Sequence, residues 1–336
     1  MGSEARKSWD VLGFGAIAVD ELLFVKQYPQ IDEKVPVLRK ERHGGGNAAT
    51  ALVAVSRLGG RAAYCGVLGD DELSRFSLHE LEQEGVDTSP TFHKPDARPF
   101  TATVIVDMSQ AKRSILFSGE GVVEPDPLDV TDELITSSKV LFVDHQATGI
   151  GLHVARLAKK NQIPLIGDFE GALHPRLLEL VNMTDHLIVG IDFGRKVAGV
   201  TDINNVLRKL ANRDRACCVV TAGEKGCWYC EYGGEIHHFP AYRVQVVDTT
   251  GCGDVFHGAY AAGLARGDSL EVRIRFATAA AALMAMRGAI PHRAALEAFL
   301  DEEARAATAP RASARKDPGP PTRPMSSQHQ PSSANP

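Results

Sequence analysis

VQVVDTTGCGDVFHGAYAAGLARG, residues 244–267, is the stretch whose reading decides the fold. A strand-like run ends at Val247, a turn of small residues follows, and a helix starts near Gly253, with Ala259, Ala262 and Ala265 letting it pack closely. Strand, tight turn and helix in that order make one unit of an open α/β sheet. Gly251 and Gly253 leave main-chain N–H groups uncovered at the helix start, where unsatisfied donors and the helix dipole favour an anion such as phosphate. Asp254, in the first turn, puts a carboxylate where a phosphate cradle usually carries a lysine. That position suits a group accepting the proton of an attacking hydroxyl during phosphoryl transfer. Taken alone, Asp254 reads more often as a helix-start carboxylate that complements the dipole, and the whole D-T-T-G-x-G-D string is what favours the catalytic reading. His257 follows on the same face, either to orient Asp254 or as an ordinary helix-surface residue.

Outward from this turn, the chain from Trp9 to about Arg305 alternates β-rich runs with amphipathic helical stretches. Strands are expected at VLGFGAI from Val11, AAYCGV from Ala62, VLFVDH from Val140, PLIGDF from Pro164, HLIVGI from His186 and CCVVTAG from Cys217. Helices such as NAATALVAVSRLGG lie between them, with Ala48, Leu52, Val55 and Leu58 on one face. The pattern predicts a doubly wound, mostly parallel sheet sandwiched by helices. Two strand-like segments without an intervening helix, about 21–43 and 98–119, predict a small inserted β-lid. Residues 310–336 hold seven of the 18 prolines and few large apolar side chains, the composition of a disordered tail. One domain over 1–309 is therefore expected.

Composition excludes several classes. The 336 residues carry 37 Lys and Arg against 42 Asp and Glu, a net charge of −5, with no long block of one sign to grip nucleic acid. No apolar run approaches the roughly 20 residues that span a bilayer, and the first residues lack a signal-peptide core, so a cytoplasmic protein without a membrane partner is expected. The six cysteines then remain thiols. Cys227 and Cys230 fall on a strand, where positions three apart face opposite ways, so a zinc site is not expected. A lysine P-loop, an H-E-x-x-H helix and a G-x-S-x-G elbow are all absent.

Three further segments accompany the phosphate turn: HGGGNAATALVAVSRLGG from His43, GFGAIAVDELLF from Gly13, and VVTAGEKGCWYC from Val219. With DTTGCGDVFHGAYAAG they resemble the ribokinase-like, or phosphofructokinase-B-type, carbohydrate kinases over roughly Asp10 to Leu300. The resemblance implies a ribokinase-like fold and ATP-dependent transfer of the γ-phosphoryl group to a hydroxyl of a sugar. It makes Asp254 the catalytic base and the Gly251, Cys252 and Gly253 amides the anion hole. Asp20, Gly45, Gly46 and Asn47 would hold the sugar, and Thr50 stands where the family usually has asparagine. Thr221, Gly223 and Gly226, with Gly253, would lie near ATP.

Arg98 and Arg113 flank the lid strands, and their guanidinium forks match a phosphate or sulfonate on the sugar, or are simply solvated. The family's Asn-x-x-Glu motif, which helps hold Mg2+, is replaced here by Gly190 and Phe193, leaving Asp192 as the candidate for metal. Sulfofructose kinases resemble this chain in that loss and in the strings GGGxAAT and VVDTTGxGDVFHGA, which favours a ketose-like substrate. The resemblance leaves open K+ activation, a homodimer through the lid, and a nucleoside as acceptor. Two other readings stand beside it: a non-catalytic sugar or nucleotide sensor, and an NAD-dependent dehydrogenase suggested by Gly13-x-Gly15-x-x-Ala18 after a strand.

Overall fold

The computed structural model describes residues 7–110 and 112–308, so the tail expected over 310–336 lies outside the described residues. The chain enters β1 (Trp9–Phe14), crosses into the lid as β2 (Ala18–Val25) and β3 (Val37–Gly45), and returns through α1 (Asn47–Arg57) to β4 (Ala62–Tyr64). A short parallel pair, β5 (Val67–Leu68) and β6 (Phe92–His93), brackets α2 (Glu72–Gln83), and β7 (Phe100–Asp107) and β8 (Lys112–Ser118) complete the lid. Next come α3 (Asp132–Thr136), β9 (Ser138–Asp144), α4 (Thr148–Asn161), β10 (Leu165–Asp168), α5 (Pro175–Met183) and β11 (His186–Gly190). They are followed by α6 (Ile191–Ala198), α7 (Ile203–Leu210), β12 (Cys217–Thr221), β13 (Cys227–Cys230) and β14 (His237–Phe239). Three helices finish the fold: α8 (Cys252–Arg266), α9 (Leu270–Arg287) and α10 (Arg293–Thr308).

The main sheet runs β14-β13-β12-β11-β10-β9-β1-β4, parallel from β12 to β4, with β13 and β14 added antiparallel. Side chains alternate between two cores. Val11, Val140, Phe142 and Val219 pack under α1, α8 and α9, whereas Leu12, Leu141, Val143 and Val220 pack under α3 to α7. Cys227 and Cys230 fall on opposite faces, as expected for a strand. The chain leaves β1 for β4 on one side and later fills β9 on the other, so strand order reverses at β1. Open α/β sheets form their ligand crevice at such a reversal, outside the carboxyl ends of the strands.

Both lid segments are strands, in the order β3-β2-β7-β8, with β2 and β7 parallel. Leu38, Ile115 and Phe117 are exposed on the lid, Phe117 by 74%. No helix among the described residues is long and apolar enough to cross a membrane.

Two expectations fail here. Residues 244–247 are not a strand: the Val247 and Asp248 amides donate to the Ala285 carbonyl at 2.8 and 3.2 Å, and Val247 is 72% exposed. The dinucleotide reading fails because β1 leads into a lid strand rather than a helix. A Cβ on Gly15 would lie 2.2 Å from Asp144 Oδ2, so that glycine admits a carboxylate of the protein instead of a pyrophosphate.

Candidate active site

Gly251 caps α8 in the left-handed region, at φ 70°, where a residue without Cβ turns the chain into the helix at least cost. The Gly251, Gly253 and Asp254 amides have no acceptor among the described residues, and a Cβ on Gly253 would meet nothing within 4 Å. The Cys252 amide, expected as part of the same cradle, instead donates to Thr249 O at 3.3 Å. Three open donors at a helix start, with free space at Gly253, fit a tetrahedral oxyanion. Burial, then the charges of Asp248 and Asp254, raise the Cys252 thiol to about 11, so it stays protonated there.

Helix α8 crosses α1 closely because Gly258 has no side chain: a Cβ there would lie 2.2 Å from Ala51 O. The crossing brings the starts of the two helices together. Asn47, first residue of α1, directs its amide Nδ2 to Asp254 Oδ1 at 3.2 Å and to Asp168 Oδ2 at 3.4 Å. Gly46, with φ 96°, makes the turn from β3 into α1, and a Cβ there would lie 2.5 Å from Ala16 O.

Asp168 ends β10 and pairs in register with Asp144 at the end of β9, so two carboxylates share the rim with Asp254. Asp144 is fully buried and accepts N–H groups from Ala16 (2.7 Å), Gln146 (2.8 Å), Ala48 (3.2 Å) and Ala147 (3.3 Å). It thereby ties the β1–β2 turn and the start of α1 to the end of β9. Burial outweighs these donors and raises its carboxyl to about 6. Burial first, then the charges of Asp168, Glu170 and Asp144, hold the Asp254 carboxyl well above the usual carboxylate range.

Reading the sequence missed Asp144 and Asp168. The available signal was that VLFVDH and PLIGDF each carry an aspartate where an apolar strand ends, the place where an α/β sheet collects its site residues.

The other expected residues fall around this rim. Asp20 on β2 lies against Gly45, where a Cβ would come within 2.6 Å of Asp20 Oδ2, and burial raises its carboxyl. Thr50 faces the cradle, its Cγ2 3.6 Å from a Cβ position at Gly251. Arg98 lines a cleft with Phe14, Tyr64, Phe100, Glu124 and Gln146 at the foot of the lid, and its Nε lies 3.3 Å from Asp71. Arg113 pairs with Asp248 at 2.8 Å. Thr221 ends β12 beside Gly190. The open backbone at Gly223, φ 56°, begins the turn that follows, whereas Gly226 is pressed against Phe239 O, 2.0 Å from its would-be Cβ.

Asp192 does not join the cluster: its side chain is 88% exposed and lies 3.7 Å from Arg195. Among the described residues no group of three or more His, Cys, Asp or Glu forms a cage for a cation. These residues do not fit a resident Mg2+ site.

The comparisons agree with this geometry. The family model described as pfkB family carbohydrate kinase matches residues 11–289. Fructokinase-1 of Oryza sativa subsp. japonica is 31% identical over 279 residues, covering 74% of this chain and 84% of that protein. A ribokinase of Haemophilus influenzae is 26% identical over 284 residues, covering 83% and 92%. The crystal structure of a putative ribokinase from Agrobacterium tumefaciens superposes with a TM-score of 0.81 at 29% identity, over 89% of this chain and 99% of that one.

Proposed function

The chain belongs to the pfkB family of carbohydrate kinases, and from that premise we propose that it transfers the γ-phosphoryl group of MgATP to a hydroxyl of a ketose-like sugar. One observation carries the chemistry: the open amides of Gly251, Gly253 and Asp254 adjoin a carboxyl whose burial among other acids makes it a stronger proton acceptor than a free carboxylate. Asp254 takes the proton of the sugar hydroxyl as the new O–P bond forms. The bond between the γ-phosphorus and the bridging oxygen breaks, and ADP leaves with that electron pair. The three amides stabilise charge on the migrating group without reorganising, which is where such a site gains most of its rate. Mg2+ arrives with ATP as part of the substrate, held by phosphate oxygens and water.

Asp20, the Gly45–Gly46 backbone, Asn47 and Thr50 hold the sugar, with Arg98 at the cleft of the lid. Thr221, Gly223 and Gly226 border the nucleotide. The ketose preference is supported by the fructokinase relative at 31% identity against 26% for the ribokinase. The exposed Leu38, Ile115 and Phe117 support pairing of two chains through the lid, and six unpaired cysteines support the cytoplasm as compartment. The resemblance extends the proposal to K+ as an activator, tested by rates in potassium against tetramethylammonium salts.

ATP consumption over a panel of ketoses, aldoses, nucleosides and sugar phosphates, with and without Mg2+, tests the activity. Binding without product would mark a sensor. Asp254→Asn should lower turnover by about 10²- to 10⁴-fold with ATP binding retained, and turnover within threefold of the parent removes Asp254 as the base.

A further inference from the structure

His257 is 4% exposed, which rules out a place on the helix surface. Its Nδ1 lies 2.8 Å from the Gly253 carbonyl oxygen, and its Nε2 lies 3.0 Å from the Ile188 carbonyl oxygen and 3.5 Å from Asp168 Oδ1. Carbonyl oxygens only accept. A neutral ring has one proton and would aim its other lone pair at one of these oxygens, whereas a ring with two protons satisfies both.

The charged and titratable groups on the surrounding elements are mostly acidic. They are Asp254 on α8 itself, Asp144 on β9, Asp168 on β10, and Glu170 just beyond it, 3.9 Å from His145. The Phe142 ring of β9 packs edge-on against the imidazole, and Asn47 of α1 bridges Asp168 to Asp254. On α9, Arg273 bonds the Tyr260 hydroxyl one turn along α8, where that hydroxyl also meets His186 of β11. Three carboxylates crowd this rim; His145 stands beside Glu170, and His257 is the histidine beside Asp168.

We infer that His257 is held as an imidazolium and is a positioning residue for phosphoryl transfer, acting through Asp168 so that Asp254 can release its proton and serve as base. The inference rests on the reading of Asp254 as the base. Asp168 and Asp254 share the Asn47 amide, so a charge beside one carboxyl acts on the other. Removing a positive charge beside the pair favours its protonated form and moves the acid limb of kcat/KM to higher pH.

The test uses the full chain labelled with 15N-histidine, the His257 ring assigned by its loss in His257→Gln. Both ring nitrogens should be protonated at the pH of turnover. In His257→Gln and His257→Asn, each checked for a parental melting profile, the acid limb should move to an about tenfold lower proton concentration. Loss of packing alone would scale the rate at every pH and leave the limb in place. A single-proton ring at the pH of turnover, or an unmoved limb in both variants, overturns the inference. Asp254→Asn measured alongside separates the two readings. Parental turnover there overturns the base and this inference with it, whereas collapsed turnover with an unmoved limb in the His257 variants overturns only the role of His257.

Discussion

Arg113 Nη1, on lid strand β8, lies 2.8 Å from Asp248 Oδ1 in the loop that leads into α8. The same oxygen accepts the Thr250 amide at 2.9 Å and its hydroxyl at 2.7 Å. Burial works against the Asp248 charge, but Thr250 and Arg113 outweigh it and hold the carboxyl below the usual range. The lid is thereby fastened to the phosphate loop by one ion pair. Because both partners are partly exposed, a double-mutant cycle of Arg113→Gln and Asp248→Asn on kcat/KM should give a coupling of about 0.5–1 kcal/mol that shrinks with salt. Strictly additive single effects would show that the pair does nothing for turnover.

The raised Asp254 carboxyl predicts the pH profile. A base works only when deprotonated, so a folded-state value above the ordinary 3.8 means activity is gained as pH rises through that higher value. The acid limb of kcat/KM should lie clearly above the range of a free carboxylate, about 4. A rate that persists undiminished to such a pH contradicts the burial and like-charge crowding at the rim.

Gly258→Ala tests the helix crossing by its sign. On an exposed helix this change stabilises by about 0.5–1 kcal/mol. Here the added methyl meets the Ala51 carbonyl and the Ala54 side chain, so a loss of about 1–3 kcal/mol in urea unfolding is expected. Turnover should fall as well, because the crossing sets the 3.2 Å contact between Asn47 and Asp254.

Arg215 is 4% exposed, and its guanidinium donates to the Thr184, Leu210 and Val181 carbonyls near the ends of α5 and α7. Arg215→Met strands those acceptors and should cost about 2–4 kcal/mol, read as a lower urea midpoint with kcat unchanged at permissive temperature. A midpoint within error of the parent would mean the carbonyls find other donors.

What the sequence disclosed follows the range of each interaction. The cradle and Asp254 lie within a few residues of each other, so Gly251 to Asp254 declared themselves as a turn before a helix. The apolar runs of β1, β9, β10, β11 and β12 were readable in the same way. The meeting of Asn47 with Asp254 spans 207 positions, and that of Asn47 with Asp168 spans 121. Such contacts depend on parallel register and on a helix crossing, which no local pattern encodes. The run from Val244 to Val247 misled for the converse reason: its β-branched side chains suit a strand, but the Val247 and Asp248 amides turn to the Ala285 carbonyl of α9. His257 looked like surface because three-residue spacing from Asp254 does not say how deep a helix lies.

The parallel strands also sort the buried charge. Carboxylates of Asp144, Asp168 and Asp254 gather where the strands finish, while Arg215 and the Arg273–Tyr260–His186 group sit where β11 and β12 begin. The groups that govern catalytic speed and those that govern heat tolerance are therefore largely different side chains at opposite ends of one sheet. A lineage adapting to a warmer habitat could harden the strand-start end while its chemistry stays untouched, and an engineer could follow the same route.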